Sequence, residues 1–153
     1  MYKGLMLGVV SSVLMLLCGG LFAGGVLTLA WNRLPAWRGM ERSSFADDFG
    51  RAINVADRLQ PFLLVIAILA GAVFALNSEG LAQGLAIAAI VGFLLTLVLS
   101  LAILVPLQRR ILATYKEADD FEAMRARWLQ GHTGRTVVSL ISFLLAVIAV
   151  SVR

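Results

Sequence analysis

Between Leu81 and Val105 the chain runs for 25 residues without a charged side chain. As a helix such a run is about 37 Å long at 1.5 Å per residue, and it exceeds a hydrocarbon core of about 30 Å. It therefore predicts a helix that crosses a membrane. Two more apolar stretches, Pro61 to Leu76 and Val137 to Val152, are only just long enough to cross, so their helices must begin in the polar sequence that precedes them. Near the start a long apolar run from about Gly4 to Trp31 makes a fourth span. It is roughly twice as long as the 7 to 15 residues of a secretory signal core, and Leu17 stands where a lipoprotein acylation site would have a small residue before Cys18. A retained helix is expected. The predicted spans are about 4–31, 53–76, 81–106 and 132–152 of one integral membrane domain, 1–153. The expected fold is all-α: a four-helix transmembrane bundle of two helix-pair units with amphipathic connections.

The rest of the composition agrees, with 60% hydrophobic and 14% charged residues and a mean hydropathy of +0.91. A net charge of +4 in a soluble chain would suggest nucleic acid. Here the basic residues flank apolar segments, so the bilayer is the expected partner and nucleic acid is not. The connections 32–60 and 108–136 hold eleven of the 13 Lys and Arg residues, leaving Lys3 and Arg153 for the other side. By the positive-inside rule both connections are cytoplasmic and both termini are outside. A bacterial cytoplasmic membrane is the expected location.

Several features organise the segments. Pro35 ends or bends the first helix, Pro61 kinks the second near the surface, and Pro106 stops the third. Phe45, Phe49, Ile53 and Ala56 give Ser44 to Gln60 one apolar face, expected as an interfacial helix or an extension of the second span. Tyr115 to Arg127 reads as a solvated helix. Gly20 and Gly24, and Gly80, Gly84, Ala88 and Gly92, stand four apart and offer smooth faces for close helix packing. Ala46-Asp47-Asp48-Phe49 recurs as Ala118-Asp119-Asp120-Phe121, 72 residues later, which suggests two units related by an axis along the membrane normal.

Chemistry has few candidates. One histidine and one cysteine supply neither an intrachain disulfide nor a CxxC, HxxxH or bis-histidine ligand set, although a mixed site that adds a methionine or carboxylate stays open. Nucleophile elbow, Walker loop and dinucleotide fingerprint are all missing. The candidates that remain are Trp128, His132 and Arg135, whose spacing of four and three puts them on one helix face at the membrane boundary. His132 suits proton transfer near neutral pH. Arg135 suits an anion, and Trp128 suits stacking on an aromatic ligand. Alternatively the three anchor the helix at the headgroup level. Arg51, Asn54, Arg58 and Gln60 form a second polar cluster, and Gln108 belongs on the same side. Polar side chains at that depth usually face protein or a wet cavity, which predicts a cavity open to the cytoplasmic interface between the second and fourth helices. Simple solvation of the connections is the plainer account, above all for Arg33, Arg38 and Lys116.

Gly20-Leu21-Phe22-Ala23-Gly24-Gly25 with Pro35 downstream, Pro106 with the polar and basic residues behind it, and Trp128-x-x-x-His132-x-x-Arg135 resemble the pattern of the anthrone oxygenase-like family of small four-helix membrane proteins. The resemblance covers nearly the whole chain, and the Trp-His-Arg pattern is its most specific part. Gln108 stands where the family often has Asn. The resemblance implies oxidation of a hydrophobic aromatic ketone by dioxygen without a bound metal or flavin. His132 and Arg135 would then be catalytic, and the residues assigned above to the expected cavity, Trp128, Asn54, Arg51 and Gln108, would bind substrate. Two other classes fit the residues: a non-catalytic subunit, in a homo-oligomer or a larger membrane complex, and a binder or carrier of a lipid-soluble small molecule.

Overall fold

The computed structural model describes residues 2–153, apart from the side chains of residues 2–5 and 57. Lys3, assigned above to the far side of the membrane, thus lies outside the described side chains. The elements are α1 (Tyr2–Asn32), α2 (Leu34–Arg38), α3 (Arg42–Leu76), α4 (Gly80–Leu99), a π-helical turn (Ser100–Leu104), α5 (Val105–Thr114) and α6 (Phe121–Ser151). Among the described residues there is no strand. α4, the π-turn and α5 join into one rod, so four long helices are apolar enough to cross a membrane. α1 packs chiefly on α3 and α4 chiefly on α6, and contacts of α3 with α4 and of α1 with α6 complete the bundle.

The two ends of the bundle are tied differently. At one end Arg153 donates to the Asn77 carbonyl at 3.2 Å and lies over the Phe74 ring, which puts the C-terminus beside the α3–α4 turn. That turn closes on Gly80 at φ +58, a left-handed conformation suited to glycine. At the other end Arg42 donates to the Ala118 carbonyl at 3.3 Å and Arg125 to the Met40 carbonyl at 2.7 Å, so the two charged connections meet. Between them lies an aromatic core of Trp37, Phe45, Phe49, Phe121 and Trp128, all buried.

Inside the bundle the usual polarity of a soluble protein is absent. Leu69, Val98 and Leu144 are each about 60% exposed, while Thr96, Ser139, Ala86, Ala146 and Ala149 are buried. Lipid is as apolar as leucine, so the gain comes from close approach of small residues and from internal hydrogen bonds. Thr96 and Ser139 approach to 3.5 Å across α4 and α6.

Three expectations are corrected. The helix does not stop at Pro106: the rod continues to Thr114. Proline lacks an N–H and crowds the preceding turn, and the chain meets this by widening that turn, with the Val105 N–H bonded to the Ser100 carbonyl five residues back. Second, Tyr115 to Arg127 is not one solvated helix. α5 ends at Thr114, α6 starts at Phe121, and Phe121, Met124, Arg125 and Trp128 are buried in the aromatic core. Third, the packed face of α4 is Ala82, Ala86, Ala89 and Phe93, whereas Gly84 and Ala88 are exposed. Of the glycine stripe Gly92 packs closely, since a Cβ there would meet Ser142 Oγ at 2.0 Å. The repeated tetrapeptide sits inside α3 in one copy and at the start of α6 in the other. Both copies keep a buried Phe, and the second Asp of each pairs with an Arg of the preceding segment, Arg33–Asp48 and Arg110–Asp120, both at 2.9 Å.

α3 itself begins four residues before Ala46 because Glu41 caps it, accepting from the backbone N–H groups of Ser43 and Ser44 at 3.1 and 3.2 Å. From there it runs unbroken to Leu76 with Pro61 inside it. The amphipathic stretch is an extension of the second span, with Phe45, Phe49 and Ile53 on its buried face.

Candidate active site

His132 is fully buried on α6, one turn after Trp128 and just under one turn before Arg135. Its ring stacks on Trp128 with centroids 5.1 Å apart and planes at 16°. Both ring nitrogens are engaged. Arg135 Nε donates to Nδ1 at 3.1 Å, and Nε2 lies 3.2 Å from the Val26 carbonyl on α1. A guanidinium only donates and a carbonyl only accepts, so His132 carries its proton on Nε2 and turns the Nδ1 lone pair to Arg135.

Arg135 is 9% exposed and reaches across to the rod, where Nη1 donates to Ser100 Oγ at 3.1 Å. Ser100 in turn donates to the Thr96 carbonyl at 2.7 Å. Ser100 reaches this place in register with α4, its backbone N–H still bonded to the Thr96 carbonyl. Its hydroxyl accepts from Arg135 while donating to its own helix, so the guanidinium is held between two elements.

Arg135 also borders a recess of ≈ 40 Å³, room for roughly three waters at 10–15 Å³ each. Gln60, Pro61 and Leu64 of α3 and Leu97, Ser100 and Leu101 of the rod form most of its wall. The expected cavity between the second and fourth helices is thus displaced: the second and third helices line it, and the fourth contributes Arg135.

Trp128, His132 and Arg135 come together as their spacing predicted. The Trp128 ring is 1% exposed and packed edge-on against Trp37 and Phe49 as well as stacked on His132, so both its faces and its edges are occupied by protein. Its Nε1 is buried without a hydrogen-bond partner among the described residues. Gln108 is buried on α5, two turns beyond Ser100. Arg51 and Asn54 do not join the group. Both are exposed on α3, Arg51 donates to the Asp47 carbonyl of its own helix, and neither borders the recess. They lie on the outward stripe of α3, opposite Phe49 and Ile53. Ser100 is the residue that sequence reasoning missed. A hydroxyl one turn after Thr96 in an apolar run was the available signal, because polar groups at that depth usually face protein.

Among the described residues no three His, Cys, Asp or Glu side chains gather in metal-binding reach. What the group can do is hold an anion and relay one proton: a cationic fork, a lone pair pointed at it, and a hydroxyl beside it.

No curated protein and no solved structure matches the chain. The family model for anthrone oxygenase does, over residues 49–145, a stretch that contains α3 from Phe49, the whole α4–α5 rod and α6 through Trp128, His132 and Arg135. The chain belongs to the anthrone oxygenase family.

Proposed function

We propose that this integral membrane protein oxidises an anthrone-like aromatic ketone with dioxygen at Arg135 and His132. The observation that carries the reading is the Arg135 Nε to His132 Nδ1 hydrogen bond at the border of a recess. Arg135 draws the ketone oxygen and stabilises the enolate as it forms. As the guanidinium turns to that oxygen it frees Nδ1, which takes a proton from the acidic CH2 group. The carbanion then gives its electrons to dioxygen and a C–O bond forms. The resulting peroxide takes the proton back from His132. Loss of the second C–H proton to Nδ1 breaks the O–O bond, and hydroxide leaves with that proton as water. In sum, one CH2 group and one dioxygen become one carbonyl and one water.

The test is aerobic conversion of a model anthrone by protein purified in mild detergent, followed as quinone formed and dioxygen consumed in equal amounts. His132→Ala and Arg135→Ala are each expected to slow it by about 100-fold or more, the usual scale for removing a general base or an oxyanion donor. Equal rates in wild type and both variants, above the uncatalysed background, would remove this mechanism.

One observation favours a second reading, a subunit that packs against a partner in the membrane. Gly84 and Ala88 are exposed on α4 and form a smooth outward strip. Co-purification of a stoichiometric membrane partner would support it, and a stable, active monomer would count against it.

A further inference from the structure

We infer that the recess beside Arg135 is entered sideways from the bilayer, through the seam between α3 and the α4–α5 rod, by a flat apolar molecule that carries one anionic oxygen. This rests on the reading of Arg135 as an anion holder, but not on oxidation.

The seam is uneven along its length. Toward the Asn77 turn α3 and α4 press together: Ala70, Phe74, Ala75, Ala86 and Ala89 form one buried cluster, and a Cβ on Gly71 would come within 3.0 Å of Ile90. Toward the charged end the same two elements enclose the recess instead. At this level each element has a weakened hydrogen-bond ladder. Pro61 lacks the N–H that an α-helix interior needs, and the rod has its π-turn, bonded from Val105 to Ser100. Pro61, Ser100 and Leu101 all border the recess. Two locally softened helices therefore face each other across a part of the seam that holds empty space.

The depth and the lining describe the occupant. Ser100 lies about 30 Å along the rod from Gly80 at 1.5 Å per residue, at the far edge of a hydrocarbon core of about that thickness. Amphipathic rings collect at this boundary. Leu101, at the rim, is 57% exposed, so the mouth opens on the outer surface of the bundle. Phe22, Leu64, Leu97 and Val105 make the wall apolar, and among the described residues Arg135 is the one charged group in it. An apolar slot with a nine-tenths buried cation at its end fits a phenolate, enolate or aromatic carboxylate. The recess is too small for a ring system as it stands, so entry requires Leu101 and its neighbours to part, which the softened ladders permit.

The experiment uses the whole protein in phosphatidylcholine nanodiscs and two non-oxidisable probes, 9-anthracenecarboxylate and its neutral counterpart 9-anthracenemethanol. Binding is read as probe anisotropy, corrected with empty nanodiscs. The carboxylate is expected to bind at least tenfold more tightly than the alcohol, and Arg135→Gln to abolish that preference. Leu101→Trp, which fills the rim, should weaken carboxylate binding at least tenfold. Val91→Trp, on the same rod and 58% exposed but more than two turns before the recess-lining Ser100 and Leu101, should leave it unchanged. Equal affinity for the two probes, as a crevice for lipid tails would give, overturns the inference. So does wild-type affinity in Leu101→Trp. Tight, Arg135-dependent carboxylate binding by protein that fails to oxidise an anthrone would remove the proposed reaction and support the entry route.

Discussion

Two tryptophans in one aromatic core show how much a single polar atom decides. Trp37 donates to Asp48 Oδ2 at 2.8 Å, a bond to a charged acceptor and worth about 1.5–3 kcal/mol. Trp128 buries the same N–H with no partner among the described residues, at a cost of about 1–3 kcal/mol. Replacement by phenylalanine leaves a similar small void in either case. Trp37→Phe is therefore expected to destabilise by about 2 kcal/mol or more, whereas in Trp128→Phe the relieved donor offsets the void and the net change stays within about 1 kcal/mol. Thermal unfolding in one detergent compares them, and a larger loss for Trp128→Phe would mean that its N–H is satisfied. The same reasoning applies to Arg135. Lysine keeps the charge but lacks the fork that reaches His132 and Ser100 together. Arg135→Lys should therefore leave the fold intact and still cost a large part of the activity, measured as quinone formation.

At the scale of elements, the π-turn is the feature with the clearest consequence. Its extra residue rotates everything beyond it by about 100° relative to a continuous α-helix, and so sets which side of α5 carries the buried Gln108 and Ile111. Deleting Ala102, which is exposed, should restore a plain helical register. The protein is then expected to insert and stay helical by circular dichroism and to keep the Ser100–Arg135 contact, while Gln108 and Ile111 turn off the buried face of α5 and thermal stability falls. Unchanged stability would show that the turn serves only Pro106. Sequence reading did not reveal this turn, because hydropathy reports the apolar run and not the winding of its backbone. It did reveal Trp128, His132 and Arg135 on one face, since helical spacing alone settles that. It placed Arg51 and Asn54 with them because it knew their depth but not which way α3 was turned. The start of α3 gives a pH prediction. Ser43's hydroxyl and the backbone N–H groups of Ser43 and Ser44 bond the Glu41 carboxylate and hold its pKa below the ordinary 4.5. A lowered native pKa means that the cap stabilises the helix at neutral pH and down to about the ordinary value, and is lost as pH falls through the native one. Protection of the Ser43 and Ser44 amides, taken relative to their intrinsic exchange at each pH, should fall over that acid range. Glu41→Gln should remove the pH dependence, and an unchanged acid profile in that variant would assign the effect elsewhere.

On the scale of the whole molecule, two different forces hold two different parts. The aromatic core at the charged end is built from residues that water would expel, and Arg125 over Phe45 and Phe121 closes it from one side. The bundle proper has no such force and depends on small residues, on Thr96, Ser139 and Ser142, and on the helix ladders. The sequence betrayed the bundle through its apolar runs. It concealed the core because Trp37, Phe45 and Phe121 are scattered among charges, and only tertiary pairing of the two connections gathers them. That pairing also concentrates charge: Arg33, Arg38, Arg42, Arg109, Arg110, Arg125 and Arg127 all belong to the end where the connections meet. Moving such an end across a bilayer during insertion is costly, so the charged end is expected to remain cytoplasmic and the Asn77 turn to face outward. The natural Cys18 is buried, and Cys18→Ala gives a background for single cysteines at two exposed positions, Glu79 in the turn and Glu117 between α5 and α6. A membrane-impermeant maleimide should label Glu79→Cys in intact cells and Glu117→Cys only after lysis. The reverse pattern would turn the protein over, and with it the side from which a ligand at the charged end of the α3–α4 seam would arrive.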